Sequence, residues 1–598
     1  MCGIAGIIAP NSEQYRGELQ KMTDAIAHRG PDGQHHEFLK NAALGHRRLS
    51  IIDLSETGKQ PMFSATKNEC IVFNGEIYGY QNLKKNYANY PYRGSSDTEI
   101  ILAMYQKNEK KLLHELPGMF AFALWNEEKQ KLFCARDRFG EKPFFYTQGK
   151  NGEFIFASEI KAILATGLIQ PVINEDAVTH FLQYGYVSAH QSIYSNIFTL
   201  PPAHFLVFSK GKMHVERYYS LPTSELQINL TDAKEEFSRL LKNAVQKQIV
   251  ADVEVGSFLS GGLDSSTIVA MVNEFKKKQT TISFGYSGEN SELKFAEEIA
   301  RKYHTNHIEI LENRGNIATE LQKISPFFDE PFADMSYTPQ FKICQAASRH
   351  LKVVLSGDVG DELFGGYHFY TVEQEMKNHF SYNNILAKSA VRIFGKLKTT
   401  SYITKQNQQY KNILDFHQNR VRNYFSPQEI RALGFRNNYA QQYSFQPDAN
   451  SLNDIMRVDL EKFVPGNMLL KADRMAMANS LEVRTPFLDK DFAEFCIQLP
   501  ENLKIDGTQD KIILREAMQS YWTDTIRNRN KQGFGSSVAS WFEEKNLLDL
   551  SHELLGDSNA AVFKLINFKA AQKFLNKDKR HWNLLQFALW AENNKNYI

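Results

Sequence analysis

The sequence is poor in cysteine. Five residues (Cys2, Cys70, Cys134, Cys344 and Cys496) are spread over 598 positions without CxxC spacing. A sparse, odd set supplies neither a disulfide framework nor a zinc-ligand pattern, and it fits a reducing, cytoplasmic setting. An excess of one charge is also missing: 70 Lys and Arg against 68 Asp and Glu leave a formal net charge of +2. Nucleic acid is therefore not an expected partner. No apolar run approaches the roughly 20 residues of a membrane span, and the first residues lack a charged stretch leading into an apolar one, so neither a membrane nor a secretory leader is expected. What is present is a soluble, globular composition, 42% hydrophobic and 23% charged, on a chain long enough for two or more domains with full cores.

One stretch organises the rest. Val253 to Leu259 is an apolar run, Ser260-Gly261-Gly262-Leu263-Asp264-Ser265-Ser266 follows it, and Thr267 to Phe275 has helical spacing. That reads as strand, glycine turn and helix start. Glycines let backbone approach a ligand, while the serines and the first N–H groups of a helix aim donors at one spot, which suits phosphate. No Lys follows the glycines, so this is not a Walker A loop. Asp264 beside phosphate calls for a bridging Mg²⁺. A Gly- and Ser-rich βα turn without a ligand is the other reading of the heptapeptide. The motif resembles the pyrophosphate loop of ATP pyrophosphatases, which adenylate a carboxylate or carbonyl and release pyrophosphate.

The chain opens Met1-Cys2-Gly3-Ile4-Ala5-Gly6-Ile7-Ile8, an apolar strand with a thiol near its start. Removal of Met1 would put the Cys2 α-amine, with a pKa near 8, beside its own thiol as a base. While Met1 stays, that nitrogen is a peptide and the site is inactive. Alone, Cys2 reads as an ordinary second residue. Its company changes this: His28-Arg29-Gly30-Pro31-Asp32-Gly33 is a turn-dense loop, and Gly45-His46-Arg47-Arg48 brings guanidinium groups to the start of an apolar strand. Val72-Phe73-Asn74-Gly75-Glu76-Ile77-Tyr78 reads as a strand broken by Asn-Gly, either a hairpin turn or a pair of oxyanion donors. Gly94-Ser95-Ser96-Asp97 adds a carboxylate able to hold an ammonium group.

From Cys2 to about Tyr219 these motifs resemble a class II glutamine amidotransferase domain. The resemblance implies Cys2 as the nucleophile, Asn74 and Gly75 as the oxyanion hole, Arg48 on the glutamine α-carboxylate, Asp97 on its α-amine, and Glu76 in the same glutamine site. It also implies an N-terminal αββα sandwich of antiparallel sheets, N-terminal nucleophile hydrolase-like. Gly118 to Ala123 and Ala135 to Gly140 carry a period-2 apolar pattern that independently reads as core strands.

The strand pattern ends near Tyr219, and a boundary is expected there, giving units 2–219 and 220–598. Leu230-Thr231-Asp232 opens a helical run toward Val250. Beyond the Ser260 loop, Thr281 to Tyr286, His307 to Leu311 and Val353 to Leu355 read as strands, with a helix from Glu292 to His304 between them. Strands alternating with helices predict a doubly wound parallel sheet that binds ligands beyond its carboxyl ends. Ser356-Gly357-Asp358-Val359-Gly360-Asp361-Glu362-Leu363-Phe364-Gly365-Gly366-Tyr367 falls at such an end, placing acids and glycines where they can hold Mg²⁺ or accept a proton.

This motif resembles the second signature of the glutamine-hydrolysing asparagine synthetase family. The resemblance implies an ATP and pyrophosphate site of Leu259, Ser260, Gly261, Gly262, Asp264, Ser265, Ser266, Tyr286, Ser356, Gly357 and Lys531. Asp264 and Asp361 are implied as Mg²⁺ ligands and Asp358 as the acid that aids β-aspartyl-AMP formation. At that position a bacterial family member carries Glu, one methylene longer. Leu470 to Met475 and Leu481 to Asp489 read as a helix running into a Pro-stopped turn and resemble the segment lining the family's synthetase cleft. Lys531 is either solvated surface or the cation that neutralises departing pyrophosphate. The stretch between Tyr367 and Gly466 reads as external helices, and the tail after Ser540 as amphipathic helix without a motif.

The resemblance implies that ATP adenylates the aspartate β-carboxylate, and that ammonia from glutamine yields asparagine, glutamate, AMP and pyrophosphate. Glutamine, aspartate and ATP are the expected partners, and a homodimer is compatible. Asp358 and the long insert keep open a relative that amidates another carboxylate, such as a sugar uronate. A non-catalytic protein retaining the fold is the remaining reading.

Overall fold

Alternation decides the first half. In the strand Met119–Asn126, Ala121, Ala123 and Trp125 join one core while Phe120, Phe122 and Leu124 join another. A strand apolar on both faces has to lie between two covering layers. The computed structural model describes residues 1–287, 292–313, 315–381, 413–436, 451–529 and 538–598. In it Met119–Asn126 belongs to a six-stranded antiparallel sheet in the order Lys212–Arg217, His204–Ser209, Lys131–Arg136, Met119–Asn126, Glu69–Glu76, Met62–Phe63.

A second six-stranded sheet packs against it. Gly3–Ile8 lies there between Ala42–Arg48 and Phe154–Ala157, antiparallel to both. Ile4, Ile8 and Leu44 from this sheet meet Val72, Ala121 and Leu206 from the first in a shared core. Thr98–Asn108 covers one outer face through Ile100, Ile101 and Met104, and Arg16–Ala25 covers the other through Leu19 and Met22. This is the expected αββα sandwich. Asn-Gly does not break its strand, however: Glu69–Glu76 runs through Asn74 and Gly75, paired with Ala121 and Phe120. A hypothetical Cβ on Gly75 would lie 2.1 Å from the Met119 carbonyl oxygen, so glycine serves the close approach of two strands rather than a turn.

The third sheet is parallel, in the order Asn306–Glu312, Thr280–Tyr286, Val255–Phe258, Val353–Leu355, Glu482–Arg484. The chain enters at its centre, moves outward through two strands, then crosses to the other side of Val255–Phe258. The direction of winding reverses between Val255–Phe258 and Val353–Leu355, and the Ser260 and Ser356 loops leave the carboxyl ends of those two strands. A crevice is expected at that switch point. Leu263–Phe275 begins at Gly262, and Leu230–Gln248 is capped by the Asn229 side chain, which accepts from the Asp232 N–H. Glu482–Arg484 is a strand where the sequence reads as helix and turn. Three residues are too few to show a period, and the strand exists because Val353–Leu355 pairs with it. Among the described residues no helix is long and apolar enough to cross a membrane.

Two further expectations change. Described parts of the 367–466 stretch are not peripheral: His417 is buried, with Nδ1 2.7 Å from Glu373 Oε1 and Nε2 3.1 Å from Asp459 Oδ1. Burial lowers the pKa of an imidazole, yet the two carboxylates outweigh it and push His417 up to about 10. The tail is equally interior. In Lys579–Asn593 the buried Trp582 donates Nε1–H to the Ala333 carbonyl at 2.7 Å, and its helix shares a core with Ala5, Ile7 and Phe181 of the sandwich.

Buried ion pairs join the sandwich to the parallel sheet. Arg29 reaches Asp473 through Nη1 (2.8 Å) and Nη2 (2.9 Å), and Arg474 pairs with Glu159 at 2.8 Å and Asp329 at 2.9 Å. Arg484, with no exposed surface, sets Nε 2.7 Å from Glu482 and Nη2 3.1 Å from Glu76, while Nη1 donates to the Gln248 and Val250 carbonyls. Breaking such a pair leaves an uncompensated buried charge, at a typical cost of about 3–5 kcal/mol. Arg484→Met is therefore expected to lower the thermal unfolding midpoint sharply, and adding Glu482→Gln should recover part of the loss. Trp582→Ala should destabilise by about 3–5 kcal/mol, the usual range for a buried aromatic. Urea unfolding would show no change if the tail were a surface addition.

Candidate active site

Two groups of site residues emerge, one in each layer. In the sandwich, the Cys2 peptide N–H donates to Asn74 Oδ1 at 2.9 Å, and Cys2 Sγ lies 3.9 Å from the Leu49 carbonyl oxygen. Asn74 is fully buried, and its Nδ2 has no acceptor among the described residues. A buried amide donor beside a thiol suits a developing oxyanion. Burial pushes the Cys2 thiol up, against the pull of the adjacent ammonium, so this is not a preformed thiolate and attack needs a local base. The Met1 ammonium is buried with Tyr78, Met119 and Met477 and lies 2.6 Å from Glu482 Oε2.

Around this thiol, Arg48 is held by the Ser55 carbonyl (Nη1, 3.0 Å) and the Asp53 carbonyl. Asp53, which no motif singles out, accepts from Ser55 Oγ, Thr57 Oγ1 and the Ser95 N–H, tying the loop after Arg48 to the loop before Asp97. Asp97 accepts from the Ile77 N–H at 2.9 Å, and burial pushes its carboxyl up to about 6. Glu76 faces Arg484, and burial pushes its carboxyl well up. Glu482 differs: burial raises it, but the Met1 ammonium and Arg484 outweigh burial and hold it well below the usual range. Arg136 and Asp137 carry structure instead: Asp137 accepts from the backbone N–H groups of Phe139, Glu141 and Lys142.

At the switch point of the parallel sheet lies a cavity of about 420 Å³. Leu259, Ser260, Gly262, Asp264 and Ser265 form one wall, and Ser356, Gly357, Asp358 and Asp361 the opposite one. The two loops touch. A Cβ on Gly357 would come within 2.8 Å of the Asp264 carbonyl carbon and the Ser265 nitrogen, so only glycine fits there. Gly261 adopts φ +71° behind the wall, Ser266 is buried outside it, and Tyr286 stands 5.1 Å from Phe284, which does line the cavity. Burial pushes Asp358 up, eased by the Ser356 hydroxyl and Lys471. Val359, between these acids, holds φ 69° and ψ 0°, a left-handed conformation that is strained for a β-branched residue.

Lys531 lies outside the described residues. Among the described residues, Lys471, Lys511, Arg515 and Arg529 bring cations to the cavity. Lys471 lies within the cleft segment singled out from sequence, but Lys511 belongs to no motif. Its Nζ is 2.5 Å from Asp264 Oδ2 and 2.7 Å from Asp361 Oδ1. Among the described residues no group of three or more His, Cys, Asp or Glu side chains could hold a metal. Asp264 and Asp361 nevertheless converge on one cationic atom.

The two groups meet at one residue. Arg484 Nη2 reaches Glu76, which follows Asn74-Gly75, and the Arg484 carbonyl accepts the Ser356 N–H at 2.9 Å. A thiol beside a buried amide donor and a cleft of hydroxyls, acids and lysines are thus fastened to the same guanidinium-bearing residue. The first arrangement can open an amide, and the second can hold a polyphosphate.

Comparison with known proteins agrees with both halves. The asparagine synthase family matches residues 236–592, and the glutamine amidotransferase domain family matches residues 1–219. Asparagine synthetase (glutamine-hydrolyzing) 1 of Bacillus subtilis is 30% identical over 614 residues, covering 99% of this chain and 96% of that protein. A putative asparagine synthetase (glutamine-hydrolyzing) 2 of Methanocaldococcus jannaschii is 39% identical over 61% of this chain and 76% of its own length. A putative asparagine synthetase (glutamine-hydrolyzing) of Mycobacterium bovis is 30% identical over 99% of this chain and 97% of its own. On these matches, the chain belongs to the asparagine synthase family of glutamine-hydrolysing ligases.

Proposed function

We propose that the protein makes asparagine from aspartate, ATP and glutamine, through β-aspartyl-AMP, with residues 2–219 as the glutaminase unit and 220–598 as the synthetase unit. The observation that carries this reading is Arg484, bonded to Glu76 beside the candidate oxyanion hole and to Ser356 in the candidate ATP cleft. Ammonia made at one place is then consumed at the next.

In the first unit, Cys2 Sγ attacks the glutamine amide carbonyl. Removal of Met1 frees the Cys2 amine to take the thiol proton and vacates the space the Met1 side chain fills. Asn74 Nδ2, which has no acceptor among the described residues, and the Gly75 N–H receive the oxyanion, ammonia leaves, and water releases glutamate from the thioester. Arg48 and Asp97 hold the two ends of the glutamine backbone, with Glu76 completing the pocket. In the second unit, the aspartate β-carboxylate attacks the α-phosphorus of ATP, pyrophosphate departs among Ser260, Ser265 and the cleft lysines, and ammonia displaces AMP. Asp358, pushed up by burial, is suited to accept a proton from the attacking ammonia.

Asp264 and Asp361 fit Mg²⁺. Both are hard oxygen donors, and Oδ2 of one and Oδ1 of the other already share a cation, the Lys511 ammonium. When bound, the metal would neutralise charge on the phosphates.

Cys2→Ala should abolish glutamine-driven asparagine formation while ammonium salts still support it, read as asparagine and pyrophosphate in the presence of ATP, Mg²⁺ and aspartate. Equal loss with both nitrogen donors would sink the two-site reading. Pyrophosphate release with a sugar uronate but not with aspartate would overturn the acceptor. Asp97 supplies a pH test. Its carboxyl, at about 6, must be ionised to hold the glutamine ammonium, so kcat/KM for glutamine should fall as pH drops through about 6. Asp97→Asn should lower kcat/KM at every pH and erase that acid limb. An unchanged limb would assign it to another group.

A further inference from the structure

The ammonium of Lys511 occupies the position between two acids where a divalent ion would sit. Its side chain is only 5% exposed and its Nζ touches Asp264 Oδ2 (2.5 Å) and Asp361 Oδ1 (2.7 Å). The placement is built into the fold. Lys511 stands in the left-handed region, φ 50° and ψ 38°, at the start of Ile512–Met518, a conformation adopted at a cost by any residue with a Cβ. The arm passes over Gly366, where a Cβ would lie 2.1 Å from both Lys511 Cε and Asp361 Oδ1. Lys511 also lines the same cavity as Ser260, Ser356 and Asp358.

We propose that Lys511 is the resident counter-ion of the metal position, and that a divalent ion entering with ATP displaces its ammonium, which then stands beside the triphosphate. The inference rests on reading Asp264 and Asp361 as the metal pair. One ammonium leaves the two carboxylates with a net charge of −1, which holds the cleft together without ligand. A divalent ion would neutralise the pair fully, but it competes for the same carboxylate oxygens and has to evict a desolvated, doubly paired cation. The protein alone therefore takes up divalent ions poorly. ATP tips the exchange, because its phosphates supply further oxygen ligands to the metal and an anionic partner for the displaced amine. Lys511 is a positioning residue in this scheme: it couples metal entry to nucleotide entry.

The test is Mn²⁺ binding followed by electron paramagnetic resonance, with the full-length protein and no nucleotide. Lys511→Met should bind Mn²⁺ about tenfold or more tightly than wild type, whereas Lys511→Arg should stay as weak as wild type. Adding ATP should narrow the gap between Lys511→Met and wild type. Should Lys511→Met misfold, labelling answers on wild type: Mn²⁺ alone, at concentrations where the resonance shows it bound, should raise amine-reactive labelling of Lys511, read by mass spectrometry. Equal Mn²⁺ affinity in Lys511→Met and wild type, with Asp264→Asn weakening both, would keep the metal pair and reject the displacement. Labelling unchanged by bound Mn²⁺ would reject it likewise. If Asp264→Asn leaves Mn²⁺ binding untouched with and without ATP, the metal pair itself is misassigned and the inference falls with it.

Discussion

A guanidinium with no access to water has to find its hydrogen-bond acceptors within the protein, and the Arg484 side chain finds four: Glu482, Glu76 and the carbonyls of Gln248 and Val250. These acceptors lie on three separate pieces of the molecule. Glu76 ends a strand of the sandwich, Gln248 ends the helix that leads into the parallel sheet and Val250 lies two residues beyond it, and Glu482 holds the Met1 ammonium. Satisfying one buried charge therefore sets the distance between the Cys2 neighbourhood and the Ser356 loop. The Arg29 and Arg474 pairs with Asp473, Glu159 and Asp329 repeat this constraint a short way along the same junction. Apolar packing alone would hold the layers together, but it is non-directional. Buried ion pairs add a defined register.

The same burial shapes the chemistry. Around Cys2 it pushes the thiol and the Asp97 carboxyl up, which disfavours charge until a substrate or a local base arrives. In the cleft, the acids are treated unequally. Asp264 and Asp361 share the Lys511 ammonium, while Asp358, on the same loop as Asp361, is pushed up by burial and eased only by the Ser356 hydroxyl and Lys471. Two paired acids and one raised acid suit different tasks, one pair holding a cation and one group moving a proton. The strained Val359 sits between them, and left-handed backbone at that point is what turns the chain from the strand into Gly360–Phe364.

Much of this was readable from local pattern. The period-2 apolar pattern of Gly118 to Ala123 reads as a core strand, and the Ser260 and Ser356 motifs fall after apolar runs that are strands. These signals act over a few residues, since side-chain direction repeats every two positions in a strand and glycine acts through its own backbone. Where local pattern is ambiguous, reading from sequence failed for a physical reason. Asn74-Gly75 has the composition of a hairpin turn but lies within a strand, because the neighbouring Met119 backbone leaves room for no side chain at Gly75. The tail after Ser540 has no motif, and its role lies in Trp582 reaching the Ala333 carbonyl 249 residues away.

Sequence by itself determined the class of each layer and the two glycine-rich loops that line the cleft, because each is a contiguous pattern whose physics is local. Tertiary structure alone decided which distant charges meet. Arg484 and Glu76 are 408 residues apart, and Lys511 and Asp264 are 247 apart. Neither lysine nor arginine has a neighbour in sequence that announces its partner. Burial removes water as the alternative, so a long, flexible cationic side chain pairs with whichever acid the packed layers bring within reach, and only the folded chain specifies which acid that is.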